Sequence, residues 1–271
     1  MEALADDLMG HAVECDMERK EVLSSERFYV TVKKMLDYYG CNAFAAPCPD
    51  ACATRRLNQE RMTFCLTHSL LGEMGIPSAC EYDIPACLSI AILSCLADKP
   101  AYMGNTTHDA KAIATGRYGL SPFFHTDIND SCMDVVKADP DNVILTWHAV
   151  PRRNMQGWDA PKAPYAIRPF AASGFGVTIR YDFNRDVGQE ITMCRISPDC
   201  KTLFVAKGEI VGGVGFGDYS CSEGVFFRVK DGNDFFQKQL EVGNHVPLVY
   251  GDCFDQVCAL GKHLGLKVIT A

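Results

Sequence analysis

The sequence has no cluster of lysine and arginine residues interleaved with aromatic side chains, which a nucleic-acid-binding surface requires. Its 34 acidic residues outnumber 26 basic ones and give the 271-residue chain a formal net charge of −8. A negatively charged protein without a basic patch is repelled by phosphate backbones. We therefore expect no nucleic-acid partner.

Long apolar runs are missing as well. The longest one, residues 84–97, is shorter than the roughly 20 residues that a membrane-spanning helix needs, and it contains Pro85. The first 20 residues are acidic and lack the basic stretch and apolar core of a secretory signal. We expect neither membrane insertion nor export, and we assign the protein to the cytoplasm.

Cysteine is abundant, but its spacing does not form a zinc motif. The 14 cysteines are scattered along the chain, several of them inside apolar stretches. Cys41, Cys48 and Cys52 lie close in sequence, yet they contain no CxxC pair and have no second pair at zinc-site spacing. We predict mostly buried free thiols in a reducing compartment.

The hydrophobic periodicity divides the chain into two regions. Up to residue 98 it alternates between helical and strand-like segments, with predicted helices at 21–39, 58–75 and 84–96 and a short strand at 76–80. From residue 99 onward it predicts an antiparallel sheet or barrel with strands at 143–147, 176–181, 189–196 and 224–229, a closing helix at 252–264 and a strand at 266–270. We place a domain boundary there, between residues 1–98 and 99–271.

Two carboxylates follow the predicted strand 76–80. Glu81 and Asp83 lie at its carboxyl end, where open α/β sheets usually bind ligands, and they would point the same way if the strand continued. The structural alternative is that both acids cap the following helix, since acidic residues favour a first helical turn.

Two histidines also stand at strand ends. His148 ends the β-like run 143–147, and His245 precedes a short strand. Together with Glu81 they form a nitrogen and oxygen set suited to a divalent first-row metal, although a histidine at a strand end is more often a hydrogen-bonded structural residue than a ligand. Arg152 and Arg153 could steer a polyhydroxy or anionic ligand, or they could be a solvated loop pair.

Several weaker signals favour structural interpretations. The glycine-dense segment 212–217 is followed by a strand-like run instead of a helix, which indicates a flexible turn between strands. We expect His68, which lies in a predicted helix, to be a core or surface histidine. The loop residues His108, Asp109 and His125 could belong to a site, but solvated loop positions are the stronger interpretation.

Four segments in fixed order resemble the carboxy-terminal half of the L-fucose isomerase and L-arabinose isomerase superfamily. They are residues 75–83 (GIPSACEYD), 99–105 (KPAYMGN), 143–151 (VILTWHAVP) and the residues around Asn244 and His245 with the trailing 249–252. The resemblance extends from about residue 34 to the end. Family members carry additional amino-terminal sequence, so we expect the chain to be either a fragment of such a protein or a reduced form with an incomplete pocket.

The resemblance implies a partial Rossmann-like domain followed by an antiparallel β-barrel domain. It implies a Mn²⁺-type cation bound by Glu81, His148 and His245, with Asn105 at the position of a second acidic ligand. Asn105 can coordinate through its amide oxygen but cannot take a proton. The implied assembly is a homo-oligomer, a trimer or hexamer.

The implied reaction is the interconversion of an aldose and a ketose, with a pentose, hexose or deoxyhexose as substrate. Glu81 would move a proton between adjacent carbons while the cation stabilises the enediolate. We place Asn105 beside it among the catalytic residues and assign substrate contacts to Asp83, Arg152 and Asn244. Because Asn105 replaces an acid, a sugar or sugar-acid epimerase or lyase and a non-catalytic sugar-binding remnant are alternative functions.

Overall fold

The structure, a computed structural model, describes residues 2–107, 128–171 and 173–271. His108, Asp109 and His125 lie outside the described residues. The described chain is a mixed α/β protein whose strands form three sheets. Within these ranges, no helix is both long and apolar enough to cross a membrane.

The helices are α1 (Glu2–His11), α2 (Arg19–Tyr39), α3 (Cys48–Ala53), α4 (Arg56–Glu60), α5 (Cys65–Glu73), α6 (Ile84–Ala97), α7 (Asp130–Ala138), α8 (Gly232–Gln239) and α9 (Phe254–His263), with a 3₁₀ turn at Phe183–Asp186. The strands are β1 (Glu14–Cys15), β2 (Phe44–Ala45), β3 (Ser78–Ala79), β4 (Asn105–Thr107), β5 (Val143–Trp147), β6 (Tyr165–Pro169), β7 (Val177–Tyr181), β8 (Glu190–Ile196), β9 (Thr202–Val214), β10 (Gly224–Arg228), β11 (Leu248–Tyr250) and β12 (Lys267–Thr270).

The largest sheet has seven strands in the order β11-β8-β9-β10-β5-β4, with β12 paired to β9. Most neighbours are antiparallel, as expected, but β12 runs parallel to β9. That parallel pairing is possible because a long crossover connection, which includes α8 and α9, leads from β9 to β12. Among the described residues the strands of this sheet do not close into a barrel.

The two edge strands of this sheet, β11 and β4, approach each other at the residues where each strand begins. The main-chain amide of Tyr102 donates to the carbonyl of Leu248 at 2.9 Å, and the amide of Leu248 donates back at 2.8 Å. Farther along, Val246 donates to Gly104 at 3.1 Å, and Asn105 forms an antiparallel bridge with His245. These bonds bring the segment that leads into β4 and the segment that leads into β11 side by side.

Several predicted elements have different bounds in the structure. Helix α2 ends at Gly40 as predicted, because this residue adopts the left-handed conformation with φ of 63°. The single helix predicted at 58–75 is wrong: it is split into α4 and α5, and Arg61 between them has φ of 51°. The turn predicted at 212–217 begins later, because β9 continues through Gly213 to Val214.

Helix α6 connects the amino-terminal region to the large sheet. Ile90 and Leu93 of α6 belong to the same buried cluster as Ile191 and Met193 of β8. A second buried cluster lies beneath α1, α2 and α5 on the sheet of β1, β6 and β7. The loop between β3 and α6 is therefore held between two well-packed elements, and it carries Glu81 and Asp83.

Candidate metal centre

Glu81, His148 and His245 converge in the folded chain. Glu81 Oε1 lies 3.3 Å from His148 Nε2, and Glu81 Oε2 lies 3.3 Å from His245 Nε2. The two imidazole rings are 5.6 Å apart between centroids. One potential ligand atom from each residue lies within 4.8 Å of the others, so the structure contains a group that could hold a metal ion.

A tight turn after β3 places Glu81 in this group. The expected strand ends at Ala79, and both Glu81 and Tyr82 adopt left-handed backbone angles, with φ of 57° and 60°. The amide of Tyr82 donates to the carbonyl of Ala46 at 2.8 Å and fixes the turn. Non-glycine residues rarely adopt this conformation, and such strain concentrates at functional sites.

Asp83 is the N-cap of α6 and also holds His245. Its Oδ1 accepts a hydrogen bond from the amide of Ala86 at 2.8 Å, which confirms the capping interpretation for this acid. Its Oδ2 lies 2.8 Å from His245 Nδ1. Burial raises the pKa of Asp83, but His245 and Arg195 outweigh burial and bring that pKa to about 2. Asp83 is therefore an ionised acceptor that orients an imidazole.

His148 lies directly after β5 and is fully buried. Its amide donates to the carbonyl of Glu223 at 2.8 Å, and its carbonyl accepts from the hydroxyl of Tyr102 at 2.8 Å. Burial lowers the pKa of the His148 imidazole more than Glu81 raises it. The ring is consequently held in the neutral form that a metal ligand needs.

His245 is positioned by Arg195, a residue that the sequence analysis did not identify. The Arg195 guanidinium donates to the carbonyl of Val242 at 2.7 Å and to the carbonyl of His245 at 2.6 Å. Gly243 has φ of 113°, and a Cβ there would lie 2.8 Å from Arg195 Nη2. Arg195 therefore fixes the loop from Val242 to His245, and it also pairs with Asp83 at 2.8 Å.

The electrostatics of the group match a cation site. The His148 imidazole, followed by that of His245, holds the pKa of Glu81 well below its usual range. Burial lowers the pKa of His245, but its contacts with Asp83 and then Glu81 raise it further, so the net direction is upward. Glu81 is ionised, and both of its oxygens face imidazole nitrogens.

The residues present fit a divalent cation. In the part of the chain that the structure describes, both ring nitrogens of His148 and Nε2 of His245 are buried and make no hydrogen bond of good geometry. Buried polar atoms without partners are costly, and a cation would satisfy those that face Glu81. One carboxylate and two imidazoles are a ligand set that first-row divalent metals accept.

Asn105 and Asn244 lie beside this group as a hydrogen-bonded pair. The amide nitrogen of Asn244 donates to Asn105 Oδ1 at 2.5 Å, and Asn105 is buried in β4. This bond leaves one lone pair on the Asn105 oxygen for a cation. The three-residue group of Glu81, His148 and His245 does not include Asn105.

Arg152 and Arg153 make contacts in the interior of the fold. Both are almost completely buried, which contradicts a solvated loop pair. Arg152 donates to the carbonyls of Val150 and, at 3.3 Å, of Ser78, and burial lowers its pKa to about 10. Arg153 pairs with Glu73 at 2.7 Å. Neither arginine lines the cavity beside Glu81.

That cavity has a volume of about 200 Å³ and borders both Glu81 and His148. Its apolar walls include Leu57, Phe64 and Phe170. Four thiols also line it, those of Cys48, Cys65, Cys80 and Cys221. A small molecule in this space would contact the carboxylate at one end and mostly apolar groups elsewhere.

The sequence does indicate that Arg195 is a buried and paired residue, although no spacing rule identifies it. A single arginine interrupts the otherwise uncharged run of residues 191–196, which forms an interior strand. Charged residues are rarely buried unless they are paired. Arg195 was therefore recognisable as a buried ion-pair residue, although its partners were not.

No protein-family model and no curated protein matches the chain. The geometry of the candidate metal centre is thus the basis for assigning a function.

Proposed function

We propose that the protein is a metal-dependent aldose–ketose isomerase that binds a Mn²⁺-type cation through Glu81, His148 and His245. The observation that carries the proposal is the convergence of one ionised carboxylate and two buried imidazoles with unpaired ring nitrogens. The family resemblance supports both the reaction type and the choice of Mn²⁺.

A bound divalent cation supplies Lewis-acid stabilisation for negative charge on substrate oxygens. Glu81 supplies the base. Its side chain is about 36% exposed, borders the cavity and is ionised at neutral pH. It would take a proton from one carbon and return it to the neighbouring carbon.

The other polar groups nearby have different roles. Asp83 is held by Arg195, His245 and the α6 amide, so it orients His245 and does not move protons. Asn105 cannot take a proton, and its pairing with Asn244 makes it a positioning residue or a neutral ligand.

We further propose that the substrate is a deoxyhexose. Leu57, Phe64 and Phe170 offer a methyl group an apolar wall in this cavity. A hydroxymethyl group at the same place would lose its hydrogen bonds to water. The same wall therefore disfavours an ordinary hexose.

The closed barrel that the family resemblance implies is also proposed. The main-chain bonds between Tyr102 and Leu248 and between Val246 and Gly104 support it, because they join the two edges of the large sheet. Asn105 and His245 lie opposite each other along this line. A closed sheet would keep the two residues in register.

One observation favours a second candidate, a sugar or sugar-acid epimerase or lyase. Among the described residues near the cation ligands, Glu81 is the carboxylate that faces the cavity, since Asp83 is tied to Arg195. Elimination or epimerisation by a single base needs only one such group and a Lewis acid.

The test is a turnover assay of the Mn²⁺-loaded protein in deuterated water with aldoses, ketoses and sugar acids. Isomerase activity converts a 6-deoxyaldose to its ketose. Glu81→Gln, which keeps a coordinating oxygen, should reduce kcat by about 100-fold or more, whereas exposed Glu209→Gln should not. Full-rate isomerisation by metal-loaded Glu81→Gln would refute the role of Glu81. A dehydrated product or an inverted centre without ketose would favour the second candidate.

A further inference from the structure

A second cluster of potential ligand atoms lies close to the first. Cys48 Sγ is 3.0 Å from Cys80 Sγ and 4.0 Å from His68 Nε2. The three ligand atoms lie within 4.8 Å of one another. They come from the start of α3, the middle of α5 and the residue after β3, so no sequence motif connects them.

We propose that Cys48, His68 and Cys80 form a binding site for a thiophilic cation of the Zn²⁺ type. This site is separate from the group of Glu81, His148 and His245 and does not depend on the proposed isomerase function. Its ligands are thiols and an imidazole, which favour Zn²⁺ or Cu⁺ over Mn²⁺.

The distances suit tetrahedral coordination after a small adjustment. With Zn–S bonds of about 2.3 Å and Zn–N bonds of about 2.0 Å, two ligand sulfurs are about 3.8 Å apart, and sulfur and nitrogen are about 3.5 Å apart. The observed distance of 3.0 Å between the two sulfurs is shorter than its ideal value, and the distance of 4.0 Å between Cys48 Sγ and His68 Nε2 is longer than its ideal value. Rotation of the half-buried Cys48 side chain toward His68 would correct both.

His68 is already oriented as a ligand. It is fully buried, and its Nδ1 lies 2.7 Å from the hydroxyl of Ser78, which leaves Nε2 facing Cys48. Metal-binding histidines characteristically bond an outer partner through the second ring nitrogen, which fixes the tautomer. A disulfide between Cys48 and Cys80 would not require His68 to be oriented toward Cys48 in this way.

The cavity provides room for a fourth ligand. Cys48 and Cys80 line it together with Cys65 and Cys221, so a thiol or a small molecule can complete the coordination. A site with three protein ligands and an open position binds a further ligand in the way that catalytic zinc sites do. The cluster thus adds a thiophilic cation site to the wall of the cavity that Glu81 also borders.

Co²⁺ is the probe that tests this site, because Co²⁺ bound to thiolates has a strong near-ultraviolet charge-transfer band. The reduced, full-length protein should develop this band on addition of Co²⁺, and excess Zn²⁺ should abolish it. The band should disappear in Cys48→Ser and in Cys80→Ser. It should persist in two controls: His148→Ala, and Cys200→Ser, which removes an exposed thiol.

A second measurement on the unmutated protein guards against misfolding of the variants. Zn²⁺ should protect Cys48 and Cys80, but not Cys200, from alkylation as read by mass spectrometry. The proposal is overturned if the reduced protein gives no thiolate band, if the band survives in folded Cys48→Ser, or if Zn²⁺ leaves the alkylation of Cys48 unchanged. Isolation of the protein with a Cys48–Cys80 disulfide that persists in the presence of Zn²⁺ and reductant would also overturn it.

Discussion

The Asp83 carboxylate lies 2.8 Å from Nδ1 of His245, on the opposite side of the ring from Glu81. The imidazole is thereby held between two carboxylates with different roles. Asp83 is fixed by the α6 amide and by Arg195 and sets the ring orientation. Glu81 also contacts His148, with its Oε1 3.3 Å from His148 Nε2.

Asp83→Asn should weaken Mn²⁺ binding by about 10- to 100-fold, the usual effect of losing an outer partner of a metal-binding histidine. Asparagine is also a good N-cap, so the first turn of α6 should keep its cap. Calorimetric titration with Mn²⁺ measures the change. Asp231→Asn, the same substitution at the N-cap of α8, is the matched control and should bind normally. Equal affinity in both variants would contradict the role given to Asp83.

Leu57 should control the preference for a deoxy sugar. The protein should turn over a 6-deoxyhexose with a kcat/KM about 10- to 100-fold above that of the corresponding hexose, the range that a small apolar pocket achieves. Leu57→Asn should narrow this ratio, and exposed Leu264→Asn should not change it. Because the ratio compares two substrates on one variant, partial unfolding does not affect it. A ratio unchanged by Leu57→Asn would rule out this wall as the determinant.

Glu26 should make stability depend on pH. Its side chain is buried in α2, neither oxygen has a hydrogen-bond partner among the described residues, and burial raises its pKa from 4.5 to about 7. Between these values the folded protein keeps a proton that the unfolded chain releases, so the free energy of unfolding falls as the pH rises from 4.5 to 7.

Glu26→Gln should remove this dependence. At pH 8 it should be more stable than the unmutated protein by up to about 3 kcal/mol, and the difference should shrink toward pH 4.5. Urea unfolding at both pH values measures it, with exposed Glu60→Gln as the control. A Glu26→Gln variant that is less stable at pH 8 would show that the buried carboxylate has a stabilising partner.

The three residues of the candidate metal centre could be selected from the sequence because each lies within three residues of a strand. His148 follows β5, whose alternation of apolar side chains is clear in the sequence. The turn that orients Glu81 was not predictable, since two consecutive non-glycine residues adopt left-handed angles there. Such conformations depend on tertiary contacts, here the bond from Tyr82 to Ala46.

Long-range contacts account for the other differences. The break between α4 and α5 at Arg61 interrupts a continuous apolar pattern, and a pattern alone cannot locate such a break. The cluster of Cys48, His68 and Cys80 brings together residues up to 32 positions apart. Spacing rules recognise zinc sites only when the ligands occur in close pairs.

The most direct test of the metal centre is a titration of metal-free protein with Mn²⁺, in which free Mn²⁺ is quantified by its electron paramagnetic resonance signal. The unmutated protein and exposed His263→Ala should each bind one equivalent of Mn²⁺. His245→Ala and the double variant His148→Ala/His245→Ala, verified as folded by circular dichroism, should bind none at the same concentrations. Full binding of Mn²⁺ by the folded double variant would contradict the assignment of this centre.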